Sequence, residues 1–158
     1  MPLIRHSLDI ARERVELRWS LPCSPTRVWW GLTATEALPR WMGTVTSGEF
    51  DVGSVVTIQH AENYSCISTI LDCEQEMLLA MTWKFPDEPT SHLRIELTPD
   101  EDSTWLTLTH DGLGAETSSY LPGWETHLLY LEDALLDRPR PMADFWATYE
   151  GLVDGESI

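Results

Sequence analysis

Apolar and polar residues alternate along much of the chain between residues 12 and 110. In the segment 12–21, apolar side chains occupy every second position from Val15 to Leu21, with polar or charged residues between them, as in a half-buried β-strand. Six more segments have strand-like patterns: 45–50, 54–61, 64–73, 78–85, 91–98 and 104–110. Because mostly short turns separate these strands, about seven in all, they favour an antiparallel sheet over parallel strands with helical crossovers.

A helical periodicity replaces the alternation from residue 120 to residue 137. Large apolar residues recur there at gaps of three and four: Leu121, Trp124, Leu128, Leu131 and Leu135. That spacing places them on one stripe of an α-helix, with acidic residues such as Glu125 and Asp133 on the opposite side. Burial of the stripe is worth on the order of 8–15 kcal/mol before entropy, so we expect the helix to be integral to the core.

Two short helices are predicted between the first and second strands. Ser24 and Pro25 supply an N-cap and a proline at the first helical position. The segment 33–36 fits a capping box that starts a second short helix, which Pro39 limits.

The C-terminal segment has large apolar residues at helical spacing: Met142, Phe145, Trp146 and Tyr149. They predict a terminal helix that packs on its own domain. Use of the same aromatic face in a homodimer contact is the alternative.

These elements predict a single α+β domain over residues 1–158, with a core over about 12–137 and a short C-terminal extension over 139–158. The economical arrangement is a strongly curved antiparallel sheet that grips the long helix on its concave side, with the two short helices closing one end. Strands wrapped around one helix often enclose more volume than the helix fills, which predicts a cavity between the sheet and the helix.

Composition and charge exclude several classes of partner. The chain has 158 residues, 42% of them hydrophobic, which is enough for one domain with a core. Its formal net charge of −16 argues against binding nucleic acid or an anionic membrane surface, because both need a basic patch. No segment approaches the roughly 20 apolar residues of a membrane span, so no membrane insertion is expected.

The cysteines point to a reducing compartment. Cys23, Cys66 and Cys73 are odd in number and form no CxxC pair, which is typical of reduced thiols. The N-terminus has neither the apolar stretch nor the small-residue cleavage site of a secretory signal. We therefore expect a cytoplasmic protein.

A series of short motifs, taken in order, resembles one known family. The motifs are VWWGLT and ALPRWMG within 28–43, VG at 52–53, TW at 82–83, ELTP at 96–99, TWLTLTHDGL at 104–113, and GW followed by spaced leucines within 123–131. Together they resemble the START-like, polyketide-cyclase-like (SRPBCC) superfamily. Within it, the chain is similar to the family of homologues of the activator of heat-shock protein 90 ATPase. The resemblance covers about 110 residues.

The resemblance implies a helix-grip fold of the birch-pollen-allergen type, with an apolar cavity between the sheet and the long helix. The superfamily includes lipid carriers, hydrolases, cyclases, resistance proteins and co-chaperone domains, so it does not by itself imply one activity. Asp102 and Ser103 stand where the family usually has a glycine before the last strand, which leaves the type of that turn open. The co-chaperone itself has a separate chaperone-binding domain ahead of this one, for which this chain has no room. We therefore do not expect direct chaperone binding.

His110 is the polar residue that points most directly to chemistry. It shares the parity of Leu106 and Leu108, so its imidazole is expected to face the interior, where it could anchor a ligand or transfer a proton near pH 7. A histidine satisfied by a backbone carbonyl at the rim is the favoured alternative. His60 has a weaker inward parity, and His127 lies at the edge of the helix stripe.

Aromatic residues indicate a ligand pocket more clearly than any polar motif does. The candidate ligand-binding residues project toward the predicted cavity by strand parity or helical stripe: Trp41, Met81, Trp83, Phe85, Leu108, His110, Trp124 and Leu128. Aromatic walls with one or two polar anchors are typical of pockets for apolar ligands. The same rings could instead fill the space completely.

Motifs for metal or covalent chemistry are missing from the sequence. It has no HExxH, no paired CxxC, no GxSxG and no glycine-rich phosphate loop, so we assign no metal, cofactor or catalytic residue. Binding of a small hydrophobic or aromatic molecule is the favoured function. Two alternatives stay open. One is a cyclase- or dehydratase-type enzyme that uses His110, and the other is a protein-interaction or co-chaperone-like module that uses the acidic C-terminal half or residues 145–149.

Overall fold

A curved antiparallel sheet and one long helix make up most of the protein. The computed structural model describes residues 3–156, with side chains described from residue 9 to residue 153. The strands are β1 Leu3–Asp9, β2 Arg14–Leu21, β3 Thr44–Ser47, β4 Val55–Ala61, β5 Tyr64–Glu74, β6 Leu78–Trp83, β7 Ser91–Asp100 and β8 Ser103–Asp111. The α-helices are α1 Pro25–Thr33, α2 Thr117–Leu135 and α3 Phe145–Glu156. Short 3₁₀ turns lie at Leu38–Arg40, Gly114–Glu116 and Met142–Asp144.

The described strands form one eight-stranded sheet in the order β1-β2-β8-β7-β6-β5-β4-β3. Every neighbouring pair is antiparallel. From β2 the chain crosses by way of α1 to the far edge at β3, then returns strand by strand until β8 lies beside β2. This confirms the predicted α+β helix-grip class, and the predicted strands correspond to β2–β8.

The additional strand β1 is an edge strand that the alternation did not indicate. It pairs with β2 so that Asp9 lies opposite Arg14. An edge strand has only one neighbour, so its sequence is less constrained than that of a central strand and its pattern is weaker.

The first short helix begins as predicted, and the second differs. The Ser24 hydroxyl accepts a hydrogen bond from the Arg27 amide, and Pro25 is the first residue of α1. Thr33 does not cap a second helix, because it ends α1 and its hydroxyl donates to the Trp29 carbonyl at 2.8 Å. The second helix is only the 3₁₀ turn Leu38–Arg40, with proline in its first turn rather than at its end.

The long helix α2 begins three residues before the predicted start and buries the whole predicted stripe. Each stripe residue is at most 6% exposed: Leu121, Trp124, Leu128, Leu131 and Leu135. The sequence pattern places Glu125 on the exposed side, but Glu125 is buried, at 6% exposure. The expectation fails because α1, α3 and the sheet all pack on α2, so the helix is covered from more than one direction.

Candidate ligand-binding site

A cavity of about 440 Å³ lies between α2, α3 and the ends of strands β4, β5 and β6. Its wall includes His60 at the end of β4, Tyr64 at the start of β5, Trp83 at the end of β6, and Phe85 two residues beyond it. Small-molecule sites usually have volumes of roughly 300–1,000 Å³. The aromatic side chains therefore leave space of a useful size between the sheet and the helix.

Aromatic rings form a continuous wall along the sheet side of the cavity. The ring centroids of Trp83 and Trp124 are 5.3 Å apart, which joins β6 to α2. Phe85 lies edge-on to Trp83 at 5.8 Å and stacks on Tyr64 at 4.5 Å. Such contacts restrain the rings, so the wall is largely preformed.

The C-terminal helix α3 supplies the opposite wall. Phe145 is 7% exposed, and its ring centroid is 4.6 Å from that of His127 and 5.4 Å from that of Tyr130. Trp146 also lines the cavity but is 67% exposed. The hydroxyl of Tyr149 donates to the Ser119 carbonyl of α2 at 3.4 Å. Phe145 and Tyr149 are thus packed on the rest of the chain, whereas Trp146 is mostly exposed.

Hydrogen bonds already occupy the polar atoms of several wall rings. The Trp83 indole N–H donates to the Tyr120 hydroxyl at 3.1 Å, and that hydroxyl donates to Glu88 Oε1 at 2.6 Å. The Tyr64 hydroxyl donates to Asp87 Oδ1 at 2.8 Å. Burial, reinforced by Glu88, raises the pKa of Tyr120, so its phenol stays protonated. These residues offer mainly their carbon surfaces to the cavity.

Trp124 is held by a buried network behind the wall. Its indole N–H donates to Nδ1 of His110 at 2.9 Å. An indole nitrogen only donates, so Nδ1 accepts and the proton of the neutral imidazole is on Nε2. That nitrogen is 2.7 Å from the Ser91 hydroxyl, which donates onward to the Trp83 carbonyl at 3.2 Å. Burial lowers the pKa of His110 to about 3, so the ring is neutral near pH 7.

Two other histidines reach the cavity itself. His60 and His127 both line it, with ring centroids 6.1 Å apart. Nδ1 of His127 is 2.8 Å from the Trp41 carbonyl oxygen. Burial lowers the pKa of His127 to about 4, and burial together with the neighbouring His127 lowers that of His60 to about 3. Near neutral pH both rings are uncharged.

The charged residues of the wall are acidic. Glu88 and Glu116 line the cavity, and among the described residues no lysine or arginine does so. Burial is the largest cause of a raised pKa for Glu88, and repulsion from Asp87 and Glu116 adds to it. The nearby Lys84 ammonium donates to the backbone carbonyls of Phe85 and Glu88. The wall therefore disfavours an anionic ligand.

The structure brings only part of the predicted residue set to the cavity. Trp83, Phe85 and Trp124 line it. The remaining residues lie in the core behind the wall: Trp41, Met81, Leu108, His110 and Leu128. Strand parity identifies the face on which a side chain lies but not its depth along the strand. For that reason Met81 and Trp83 share a parity and only Trp83 reaches the cavity.

Sequence reasoning missed several wall residues, among them Tyr64, Glu88, Tyr120 and the α3 residues. His60 and His127 had weak signals: an inward parity for the first and a place beside the apolar stripe for the second. The fact that α3 folds back over α2 could not be read from its periodicity, because a helical stripe does not identify the surface that covers it.

A second depression, also of about 440 Å³, lies near Trp29, Phe50 and Cys73. It lacks a closed aromatic wall, and the Cys73 thiol donates to the Phe50 carbonyl at 3.3 Å. Among the described side chains, no group of three or more His, Cys, Asp or Glu is placed to hold a metal ion. In the part of the chain that the structure describes, no helix is long and apolar enough to cross a bilayer.

Comparison with known proteins identifies the domain type. A family model described as activator of Hsp90 ATPase homolog 1-like protein matches residues 22–135. No curated protein sequence matches the chain. CalU16 from Micromonospora echinospora has a similar structure, with a TM-score of 0.72 and 23% identity over 87% of this chain and 84% of that chain.

Other solved structures share the fold at lower identity. DynU16, a protein in the dynemicin biosynthetic locus, has a TM-score of 0.74 and 19% identity over 80% of this chain and 48% of that chain. An Aha1 dimer from Colwellia psychrerythraea has a TM-score of 0.67 and 19% identity over 77% of this chain and 95% of that chain. At these identities the likeness concerns the fold alone.

Proposed function

Because the chain belongs to the family of activator of Hsp90 ATPase homologue 1-like proteins, we propose that its cavity binds a small hydrophobic or aromatic molecule. The observation that supports this most is the aromatic-walled space of about 440 Å³ between the sheet and α2. Trp83, Phe85 and Trp124 would contact the ligand directly.

The remaining predicted residues would act from behind the wall. Met81, Leu108 and Leu128 are buried at 4% exposure or less and pack in the core. Trp41 is held by an N–H bond to the Gly31 carbonyl at 2.7 Å, and His110 holds the indole of Trp124. Their contribution to binding is to keep the wall in place rather than to touch the ligand.

A ligand screen with a cavity-filling variant tests this function. Native mass spectrometry and tryptophan-fluorescence titration against lipids and aromatic metabolites should reveal a ligand at micromolar concentration. Gly123 lines the cavity, and a Cβ added there would lie 3.9 Å from Tyr149 Cε2. Gly123→Leu should therefore occupy part of the space and weaken binding by roughly tenfold or more.

Gly151→Leu is the matched control, because Gly151 lies on α3 and a Cβ added there would have no heavy atom of another part of the chain within 4 Å. It should leave the affinity unchanged. A screen without a ligand, or equal affinities for the two leucine variants and the wild type, would contradict binding in this cavity.

A cyclase- or dehydratase-type enzyme is the second candidate. The observation that favours it is the neutral imidazole of His127 in the cavity wall. The unprotonated Nε2 of His127 would take a proton from a carbon next to a carbonyl group. The electron pair of that C–H bond would form a bond to a second carbonyl carbon of the same substrate, and the oxygen of that carbonyl would take up the proton. Turnover of linear polyketone substrates, followed by mass spectrometry, would test this idea. His127→Asn should abolish turnover and leave the fold intact, whereas absence of turnover by the wild type would contradict catalysis on this substrate class.

A further inference from the structure

The polar atoms of the cavity wall differ in how many hydrogen bonds they already make. The indole N–H groups of Trp83 and Trp124 are both donated, to Tyr120 and to His110. The Tyr120 hydroxyl is donated to Glu88. The hydrogen-bond donors in this part of the wall are thus already bonded to other groups of the protein. A ligand meets mainly carbon and acceptor atoms there.

The contact between His127 and Trp41 determines which tautomer His127 adopts. Nδ1 of His127 is 2.8 Å from the Trp41 carbonyl oxygen. A carbonyl oxygen only accepts, so Nδ1 must carry a proton and donate it. Because burial keeps the ring neutral near pH 7, Nε2 has no proton and is an acceptor. Nε2 is the ring nitrogen that remains to meet a ligand.

A second imidazole lies in the same part of the wall. Nε2 of His60 is buried and has no hydrogen-bond partner among the described residues. The His60 ring is packed edge-on against Phe85 at 5.0 Å and against His127 at 6.1 Å. A buried polar atom without a partner costs stability, and such atoms are rare in folded proteins. The wall around His60 and His127 is therefore suited to a polar group brought by a ligand.

The acidic residues lie toward the other end of the helix. Tyr120, which binds Glu88, precedes His127 on α2 by seven residues, which is about 10 Å along the axis. Glu116 lies one turn further toward the start of α2. Carboxylates at one end and an imidazole acceptor at the other both favour a ligand that donates hydrogen bonds, and both disfavour a carboxylate or phosphate.

We propose that the ligand is an uncharged hydroxyarene. Its hydroxyl group donates a hydrogen bond to Nε2 of His127, and its ring packs on Trp83 and Trp124. This rests on the proposed function, because it names the class of molecule that the same cavity takes. The His60 ring lies beside this contact in the cavity wall, with its centroid 6.1 Å from that of His127.

Isothermal titration calorimetry at neutral pH with matched naphthalene derivatives tests the inference. The probes are naphthol, its methyl ether and naphthoate, which share one ring system and differ in donor capacity and charge. Naphthol should bind roughly tenfold or more tightly than methoxynaphthalene, because the ether leaves the His127 acceptor without a donor. Naphthoate should bind most weakly, because Glu88 and Glu116 repel its charge and no lysine or arginine among the described side chains lines the cavity.

The variant His127→Asn separates the ligand contact from the structural one. The asparagine amide can still donate to the Trp41 carbonyl, but it has no atom at the place of Nε2. The preference for naphthol over its ether should then fall to within about twofold. His92→Asn makes the same change on an exposed position of β7 and should keep the wild-type preference.

The outcomes distinguish this inference from the function on which it rests. Equal binding of naphthol and methoxynaphthalene by the wild type would overturn the inference and leave aromatic binding intact. A preference that survives in His127→Asn would overturn the assignment to His127. Failure of every probe to bind at millimolar concentration would overturn both the ligand class and the aromatic cavity as a binding site. The comparison of naphthol with methoxynaphthalene on the wild-type protein tests the inference even if His127→Asn does not fold.

Discussion

The hydrogen bond between Trp124 and His110 shows how a residue chosen as a ligand anchor becomes part of the scaffold. Both nitrogens of His110 are occupied, one by Trp124 and the other by Ser91. The imidazole orients the indole that forms the cavity wall but does not itself reach the cavity. Any effect of His110 on binding would therefore act through the position of Trp124.

Replacing either ring of this pair should lower the free energy of unfolding, and the two losses should not be additive. Trp124→Phe or His110→Phe leaves a buried polar atom of the partner unsatisfied, which costs about 1–3 kcal/mol in addition to packing losses. The double variant removes both polar atoms, so a double-mutant cycle by urea denaturation should give a coupling of about 1–2 kcal/mol.

Trp105→Phe is the control for the loss of an indole N–H. Trp105 donates to Asp100 at an exposed site, at 3.0 Å, so its replacement should cost well under about 1 kcal/mol. Strictly additive losses for Trp124 and His110 would show that their hydrogen bond does not contribute to the free energy of unfolding.

The depressed pKa of His127 should make its contribution to stability depend on pH. Its folded pKa is about 4, and the ordinary value is about 6.5. Below pH 6.5 this histidine binds a proton in the unfolded chain but not in the folded one. Its contribution to the free energy of unfolding is therefore fully present above that pH and is lost as pH falls toward 4. Urea denaturation of wild type and His127→Asn should show a difference that shrinks by about 1–2 kcal/mol from pH 7 to pH 5.

Comparison with the variant cancels the titrating groups that both proteins share, apart from His60, whose pKa the neighbouring His127 also lowers. They include the raised pKa of Glu88, which acts in the opposite direction. A difference in unfolding free energy that stays constant across this range would contradict the buried, neutral state of His127.

At the level of elements, a glycine sets the approach between the 3₁₀ turn after α1 and strand β4. A Cβ added to Gly43 would overlap the carbonyl oxygen of Gln59 and come within 3.0 Å of Ile58 Cγ2. Gly43 follows two residues after Trp41, whose carbonyl holds His127, and Gln59 precedes His60. The close approach therefore holds the backbone of β4 that carries His60 next to the segment whose carbonyl binds His127.

Gly43→Ala should destabilise the protein by about 1–3 kcal/mol or more, because the clash is with backbone rather than with a movable side chain. Thermal and urea unfolding measure the loss. Gly151→Ala is the matched control, since a Cβ added to Gly151 in α3 would have no heavy atom of another part of the chain within 4 Å. It should be neutral or stabilising by up to about 1 kcal/mol. Similar stability of the two variants would contradict the close approach at Gly43.

Helix α3 should be part of the ligand site as well as of the core. Phe145→Ala removes a 7%-exposed ring that contacts His127, so it should cost about 2–4 kcal/mol and weaken ligand binding. Trp146→Ala removes a ring that is 67% exposed and should change stability by less than about 1 kcal/mol. If the exposed Trp146 matters more for stability than Phe145, α3 does not pack as the structure shows.

At the level of the whole molecule, charge opposes the compact state. The chain has 26 acidic and 10 basic residues. Several arginines are already paired with carboxylates, including Arg14 with Asp111 and Arg27 with Asp137. The acidic excess remains, and like charges held close together destabilise a folded protein.

Screening this repulsion should stabilise the protein. Raising the salt concentration from about 0.01 M to about 0.1 M shortens the Debye length from about 30 Å to about 10 Å. The unfolding free energy at neutral pH should then rise, on the order of 1 kcal/mol. Sodium chloride and choline chloride should act alike, and a loss of stability with either salt would show that the exposed ion pairs outweigh the repulsion.

Much of the architecture could be predicted from the sequence because it depends on local periodicity. Alternation with a period of two identified β2–β8, and the stripe from Leu121 to Leu135 identified α2. Each pattern reports which side of an element is apolar, and burying those sides against each other restricts the fold to few arrangements. The edge strand β1 and the burial of Glu125 were not predicted, because neither depends on such a pattern.

The candidate site depended on contacts between residues far apart in the chain, which no local pattern contains. Whether His110 or His127 faces the cavity is decided by partners that are distant in sequence, Trp124 for one and the Trp41 carbonyl for the other. The return of α3 over α2 likewise places Phe145 beside His127. Periodicity specified the helix and the sheet that enclose the cavity. Only tertiary packing decided which rings are tied to the scaffold and which polar atoms remain for a ligand, because hydrogen-bond partners are assigned in three dimensions.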